Sequence, residues 1–249
     1  MTRLLILGGT SEAVALAQRL HSDRPDIDVT TSLAGVTSAP VTGPGAVRRG
    51  GFGGAAGLEQ YVRDQAIDVL VDATHPFAAV MAVHARDAAA RTGVPRIKLV
   101  RPLWPRHDDD RWIDVESADG AATEIARRGD QRVLLTLGRR DLAAFAGLTG
   151  IRFIVRMIEP PLPPLSLPSA DVVLARGPFS IDDELALLKD GRIDTLVTKA
   201  SGGEATHAKI IAARELGIPV IMLRRPPVPD GPVTPDINGA IAWINELTP

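Results

Sequence analysis

Six stretches that read as buried strands end on a positive charge. IKLV is followed by Arg101, VLLTLG by Arg139 and Arg140, FIV by Arg156, VVLA by Arg176, TLVT by Lys199, and VIML by Arg224 and Arg225. In open α/β sheets, ligands gather at the carboxyl ends of the strands. Arginine forks there bind carboxylates or phosphates through paired hydrogen bonds. One such arginine is ordinarily a solvated residue; six cationic ends are expected to line a site for a ligand with several carboxylates or phosphates. Lys199 is the one lysine of the set. With a lowered pKa, such a group donates a proton or balances a developing anion; the alternative is one more carboxylate clamp. Gly202 and Gly203 follow it ahead of a helix, a second candidate anion-binding turn.

A second kind of chemistry sits near the start. LLILGGTSEAVAL reads strand, glycine turn, helix. Gly8 and Gly9 permit a tight turn. Thr10 and Ser11 add hydroxyl donors where the free N–H groups of a helix start suit a phosphate. The fit to G-x-G-x-x-G is imperfect, with Thr10 at the second glycine and Ala13 at the third, and a plain β–α turn needs the same glycines. The next strand closes on Thr30, Thr31 and Ser32, where NAD sites place Asp or Glu. Hydroxyls without a carboxylate tolerate a 2′-phosphate, and Arg48 or Arg49 could pair with it. NADP is therefore expected over NAD; the alternative is a pair of solvated arginines.

VLVDATHPFA breaks a core strand with polar residues. Pro76 cannot donate in a ladder and holds His75 extended, so the strand is expected to end there. Pro76 then starts the next helix at its first turn. Thr74 and His75 are thereby displayed beside the glycine turn, with His75 where a nicotinamide would lie. A lone histidine is as readily structural. Asp72 reads as a cap or brace for the turn. His107 and His207 show no metal spacing with His75, and no metal site is expected.

These residues need a frame of strands and helices. Apolar runs predict strands over 3–7, 27–33, 68–73, 96–100, 132–137, 152–157, 171–175, 194–199 and 219–223. Helical spacing predicts helices over 11–21, 58–65, 77–93, 117–128, 181–189, 204–216 and about 235–247. The β–α–β rhythm implies parallel sheets covered on both faces. RPLWPRHDDDRW (101–112) changes texture and reads as a boundary. The expectation is an α/β protein of two Rossmann-like parallel-sheet domains with a cleft between them, an NADP-binding domain over 1–101 and a substrate domain over 102–249. The last helix suits either.

Composition narrows the classes. The chain has 249 residues, 45 % hydrophobic and 23 % charged, enough apolar content for packed cores. A net charge of −2 leaves no long-range field for nucleic acid. The absence of cysteine excludes disulfides, thiolate metal sites and cysteine nucleophiles, and fits a reducing compartment. The apolar part of MTRLLILGGT is too short for a leader core, and no apolar run approaches a membrane span. A cytoplasmic location and no membrane partner are expected. The one tyrosine, Tyr61, has Gln65 where a short-chain dehydrogenase has lysine. No nucleophile elbow, G-x-x-x-x-G-K-S/T loop or zinc motif is present. A non-enzymatic NADP sensor remains an alternative; it predicts few charges in the second half, whereas both halves have strand-end cations.

Taken together, ILGGTSEA, TSLAG, GGFGG, DATHPFA, LVRPLW, LTLGRRDL, RGPFS, LVTKASGG and AARELGIPVIMLRRP resemble the precorrin-6A reductases of corrinoid (vitamin B12) biosynthesis, from near residue 4 to near 227. The resemblance implies NADPH on the N-terminal domain and reduction of one double bond of a contracted tetrapyrrole to give precorrin-6B. Gly8, Gly9, Thr10, Ser11 and Glu12 would seat the dinucleotide, with Ser32 and Arg48 or Arg49 near its 2′-phosphate. Thr74, His75, Pro76 and Phe77 would shelve the nicotinamide. Arg101, Arg139, Arg156, Arg176 and Arg224, with Ser201 and Gly202, would hold the acetate and propionate groups of the macrocycle. Phe77, Trp104 and Phe179 are candidates for its planar face. Lys199, with His75, would stand beside the chemistry. Cobalt-precorrin-6A is the alternative substrate.

Overall fold

Short apolar runs become strands buried on both faces, as a parallel sheet under crossover helices requires. A computed structural model describes residues 1–35 and 40–248. The first of two units contains β1 (Thr2–Leu7), α1 (Ser11–Asp23), β2 (Ile27–Leu33), β3 (Ala46–Arg49), α2 (Ala55–Asp64), β4 (Val69–Asp72), α3 (Ala79–Thr92) and β5 (Arg96–Leu99). The second contains β6 (Trp112–Val115), α4 (Ala118–Arg128), β7 (Arg132–Thr136), β8 (Arg152–Met157), β9 (Ala170–Leu174), α5 (Ile181–Asp190), β10 (Thr195–Lys199), α6 (Ala208–Glu215) and β11 (Val220–Leu223). A 3-10 helix over Arg139–Phe145 follows β7, and another over Glu204–Thr206 precedes α6. The chain ends with β12 (Val233–Thr234) and α7 (Ile237–Leu247).

Each unit has one six-stranded sheet, in the orders β12-β5-β4-β1-β2-β3 and β6-β11-β10-β7-β8-β9. Every pairing is parallel. The expected two Rossmann-like sheets are present. In the first sheet, Leu4, Ile6, Val69 and Val71 pack with α1, while Leu5, Leu7 and Leu70 pack with α2 and α3. This is the period-two alternation of a strand covered on both sides. The strand order reverses between β1 and β4, and in the second sheet between β7 and β10. Loops leaving such neighbours turn to opposite faces and open a crevice at the carboxyl edge. Among the described residues, no helix is long and apolar enough to cross a membrane.

Several boundaries differ from expectation. The second unit does not run over 102–249: it spans Leu103–Arg225, and the chain from Pro226 joins the first unit. There β12 pairs with β5, Val233 opposite Lys98 and Thr234 opposite Leu99. Helix α7 adds Ala240 and Ile244 to the cluster of Ala13, Leu16 and Leu20. The expected helix over 77–93 begins only at Ala79. The Ala78 N–H donates to the His75 carbonyl at 2.8 Å, so Pro76 stands second in a tight turn instead of opening the helix. The edge strands β3 and β6 are AVRR and WIDV, half-buried or exposed throughout, and the sequence pattern does not flag them.

Ile244 is fully buried in the first unit's core. Ile244→Ala is expected to lower the unfolding free energy by about 2–5 kcal/mol, measured by denaturant titration.

Candidate functional site

The glycine turn lies at the first reversal point. Strand β1 delivers Gly8 and Gly9 to the carboxyl edge, and the Gly8 N–H donates to the Ser32 carbonyl at 2.9 Å. A Cβ on Gly8 would lie 2.9 Å from the Thr31 methyl, so only glycine lets β1 and β2 close here. Gly9 has φ +108 and open space where a side chain would stand. That is the cradle a pyrophosphate needs for close backbone approach. Thr10 differs from its expected role as a phosphate donor. Its hydroxyl accepts from the Ala13 N–H at 3.2 Å, capping α1, and donates to the Ala73 carbonyl at 2.8 Å. Its proton is thus directed to the protein, in a cap worth about 1 kcal/mol.

Ser11 is exposed beside it and donates to Glu12 Oε2 at 3.1 Å. Glu12 also takes Arg101 Nη1 on both carboxylate oxygens, at 3.0 and 2.9 Å. The structure therefore brings Arg101, expected among substrate arginines, to the glycine turn of the first unit. Burial works to raise the Glu12 pKa, but attraction to Arg101 and hydrogen bonds from its own backbone, Arg101 and Ser11 outweigh it, and the group lies below the ordinary glutamate range.

At the end of β2, Ser32 is buried and accepts from Arg48 Nη1 at 3.2 Å. The same guanidinium also donates to the carbonyls of Gly50 and Gly51 and lies over the Phe52 ring, 3.8 Å from its centroid. Arg48 thereby fixes the loop after β3, while Arg49 beside it is exposed.

Strand β4 delivers the other side of the crevice. Asp72 is fully buried, and its Oδ1 accepts both the N–H and the hydroxyl of Thr74, at 3.1 and 2.6 Å. Its Oδ2 lies 3.0 Å from Nζ of Lys98 in β5. Asp72 is thus the brace of the turn. The sequence does not single out Lys98, because its partner Asp72 lies 26 residues away on the neighbouring strand. His75 Nδ1 accepts from the Phe77 N–H at 3.2 Å, and the two rings lie 5.9 Å apart, both half-buried.

In the second unit the reversal point joins Gly138, after β7, to Lys199, at the end of β10. Lys199 Nζ lies 2.7 Å from Asp141 Oδ2, in a partly exposed pair. A Cβ on Gly138 would stand 3.8 Å from that ammonium, an ordinary contact distance, so the backbone itself approaches Lys199 here. Ser201 is buried and Gly202 has φ +63 in the turn that follows. Arg225, next to Arg224, donates to the carbonyls of Ala200 and Ser201 at 2.6 and 2.8 Å and holds that turn. Arg224 instead pairs with Glu116 at 2.6 Å, both exposed.

The remaining cations divide by burial. Arg139 is exposed and donates to the Pro163 carbonyl, and Arg176 is exposed. Arg156 is not at an open edge: it is buried, 2.8 Å from Glu184 Oε1, with its guanidinium 4.0 Å from the Phe179 ring centroid. Trp104 is likewise no open platform. It is buried in the second unit's core, stacked on His207 and bonded through Nε1 to the Gly203 carbonyl.

Two sheets of Rossmann order, each with a glycine at its reversal point, define a two-unit doubly wound α/β protein with a nucleotide-type turn in the first unit. Comparison with known proteins gives the family. The model described as precorrin-6x reductase CbiJ/CobK matches residues 3–245, and the chain belongs to this family. It is 49 % identical to the Rhodococcus erythropolis protein named precorrin-6A reductase, over 100 % of this chain and 99 % of that one. It is 30 % identical to the Priestia megaterium protein named cobalt-precorrin-6A reductase, over 92 % and 93 %. A solved structure titled CobK precorrin-6A reductase superposes with a TM-score of 0.93 at 40 % identity, covering 100 % of this chain and 98 % of that one.

The Glu12–Arg101 contact has a pH signature. A carboxyl with a lowered folded-state pKa stabilises above its unfolded pKa, and that contribution is lost as pH falls through the folded value. The difference in melting temperature between the parent and Glu12→Gln is expected to be present at neutral pH and to vanish once the pH drops below the ordinary glutamate range.

Proposed function

We propose that the chain reduces precorrin-6A to precorrin-6B with NADPH, as a cytoplasmic enzyme of cobalamin biosynthesis. The observation that carries this reading is the full-length match to a protein named precorrin-6A reductase, at higher identity than the cobalt-precorrin-6A reductase. When bound, NADPH supplies the hydride. The residues present fit it: Gly8 and Gly9 leave room for the pyrophosphate, with Ser11 and the Glu12–Arg101 pair at its side. Ser32, Arg48 and the exposed Arg49 receive the 2′-phosphate, at a strand end that carries no carboxylate. Thr74, His75, Pro76 and Phe77 hold the nicotinamide.

The second unit answers the charge of the macrocycle. Arg139, Arg176 and Arg224 reach solvent and take its carboxylates, and the Ser201–Gly202 turn takes another. Arg156 stays with Glu184 and presents Phe179, an aromatic face for the ring. Reduction adds one hydride to a ring carbon and one proton to its neighbour. Lys199 holds that proton on Nζ, and Asp141 keeps the ammonium oriented.

Purified protein is expected to consume NADPH in equimolar amount with precorrin-6A and to yield precorrin-6B by mass spectrometry. No consumption with this substrate, or faster consumption with cobalt-precorrin-6A, would overturn the assignment. NADH is expected to bind about tenfold or more weakly, the scale of one lost charge-assisted hydrogen bond. Lys199→Ala is expected to lower kcat by about a hundredfold or more, the contribution of a positioned acid, with NADPH affinity unchanged.

A further inference from the structure

Lys98 and Asp72 form a buried pair that the proposed reaction does not use. They stand opposite each other in β5 and β4, on the sheet face covered by α2 and α3, and are 2 % and 0 % exposed. Taking two charges out of water costs several kcal/mol per ion, and apolar residues of similar volume often stabilise a core as well or better. Core stability alone therefore does not account for them. What the pair organises does.

One carboxylate folds the chain back on itself as it leaves β4. Asp72 Oδ1 accepts twice from Thr74, and Oδ2 faces Lys98 Nζ, which also lies 3.4 Å from the Thr74 hydroxyl. Ala73, between Asp72 and Thr74, accepts from the Thr10 hydroxyl at 2.8 Å. The glycine turn and the His75 turn are thus tied through one knot, whose far end is Lys98. Both charged residues lie inside the sheet, out of reach of a ligand. We propose that Lys98 and Asp72 are positioning residues for the nicotinamide half of NADPH: they fix the path of residues 73–77 and hence the shelf made by Thr74, His75 and Phe77. This rests on the NADPH reading above.

The test compares NADPH with 2′,5′-ADP, which lacks the nicotinamide half. The double variant Asp72→Leu/Lys98→Met removes both charges together, so no uncompensated ion is left in the core. Its affinity for 2′,5′-ADP is expected to stay within about twofold of the parent, because the glycine turn meets the knot only through the Thr10 bond to the Ala73 backbone carbonyl, which involves neither charged side chain. Its NADPH dissociation constant is expected to rise about tenfold, for lost hydrogen bonds in the shelf. Single-turnover hydride transfer is expected to slow about a hundredfold, the effect of misplacing a reactant by roughly one ångström. Equal weakening of both ligands, or no change in either beside a lower melting temperature, would make the pair merely structural and overturn the proposal. If the double variant does not fold, Lys98→Arg, which keeps the charge but moves its donors, is measured in the same way with the same split expected. A parent protein that binds 2′,5′-ADP and NADPH no better than buffer controls would overturn the cofactor reading itself.

Discussion

A parallel sheet has to carry each connection over one of its faces, and a chain that fills both sides of its first strand has to change face once. At that change, two neighbouring strands send their loops apart, and the sheet edge between them is left uncovered. Here it happens at β1 and β4, and again at β7 and β10. The glycine turn and the His75 turn occupy the first gap; Gly138 and Lys199 occupy the second. The helices accommodate this geometry. Helix α3 faces the first sheet with Ala82, Ala85, Ala88 and Ala89, all buried, and these small side chains let the helix axis lie close over the strands.

Within the gaps, backbone constraints matter as much as side-chain chemistry. Gly8 is set by the approach of β2, where any larger residue would meet the Thr31 methyl at 2.9 Å. Gly9 is set by its positive φ. Neither glycine identifies a ligand by itself. What gives the turn its chemical sense is the pairing register, with Leu7 opposite both Ser32 and Asp72. That register puts an uncharged strand end on one side of the turn and a braced polar loop on the other.

Most of this frame was legible in the sequence because it is local. Buried strands announce themselves as apolar runs, and helices by their spacing, so most of both sheets could be read directly, but Arg156, expected at a strand end, lies buried within β8. The short strands β3, β6 and β12 could not be read this way. They sit at sheet edges, and partners distant in sequence define them, as Thr234 opposite Leu99 does. The partners of the cations were hidden for the same reason. Arg101 meets Glu12 across 89 residues, and Arg156 meets Glu184 across 28. Read as a list, the cationic ends looked alike. Burial and partners divide them: Arg101 pairs with Glu12 at the glycine turn, Arg156 with Glu184 in the core, and Arg139, Arg176 and Arg224 are exposed.

The two lysine–aspartate pairs show how environment assigns different tasks to the same chemistry. Lys98–Asp72 is 3.0 Å long with side chains 3 % and 0 % exposed; Lys199–Asp141 is 2.7 Å long with side chains 21 % and 28 % exposed. In a dry interior, separating a pair strands each charge without solvent, so the first pair cannot exchange partners and acts as a fixed strut. At a partly wetted edge the same attraction is screened and worth far less. Such a pair can part and re-form at modest cost. Rigidity belongs to the pair that braces the turn, and exchangeability to the pair at the open edge, although both begin as a cation on a strand and an aspartate beside it.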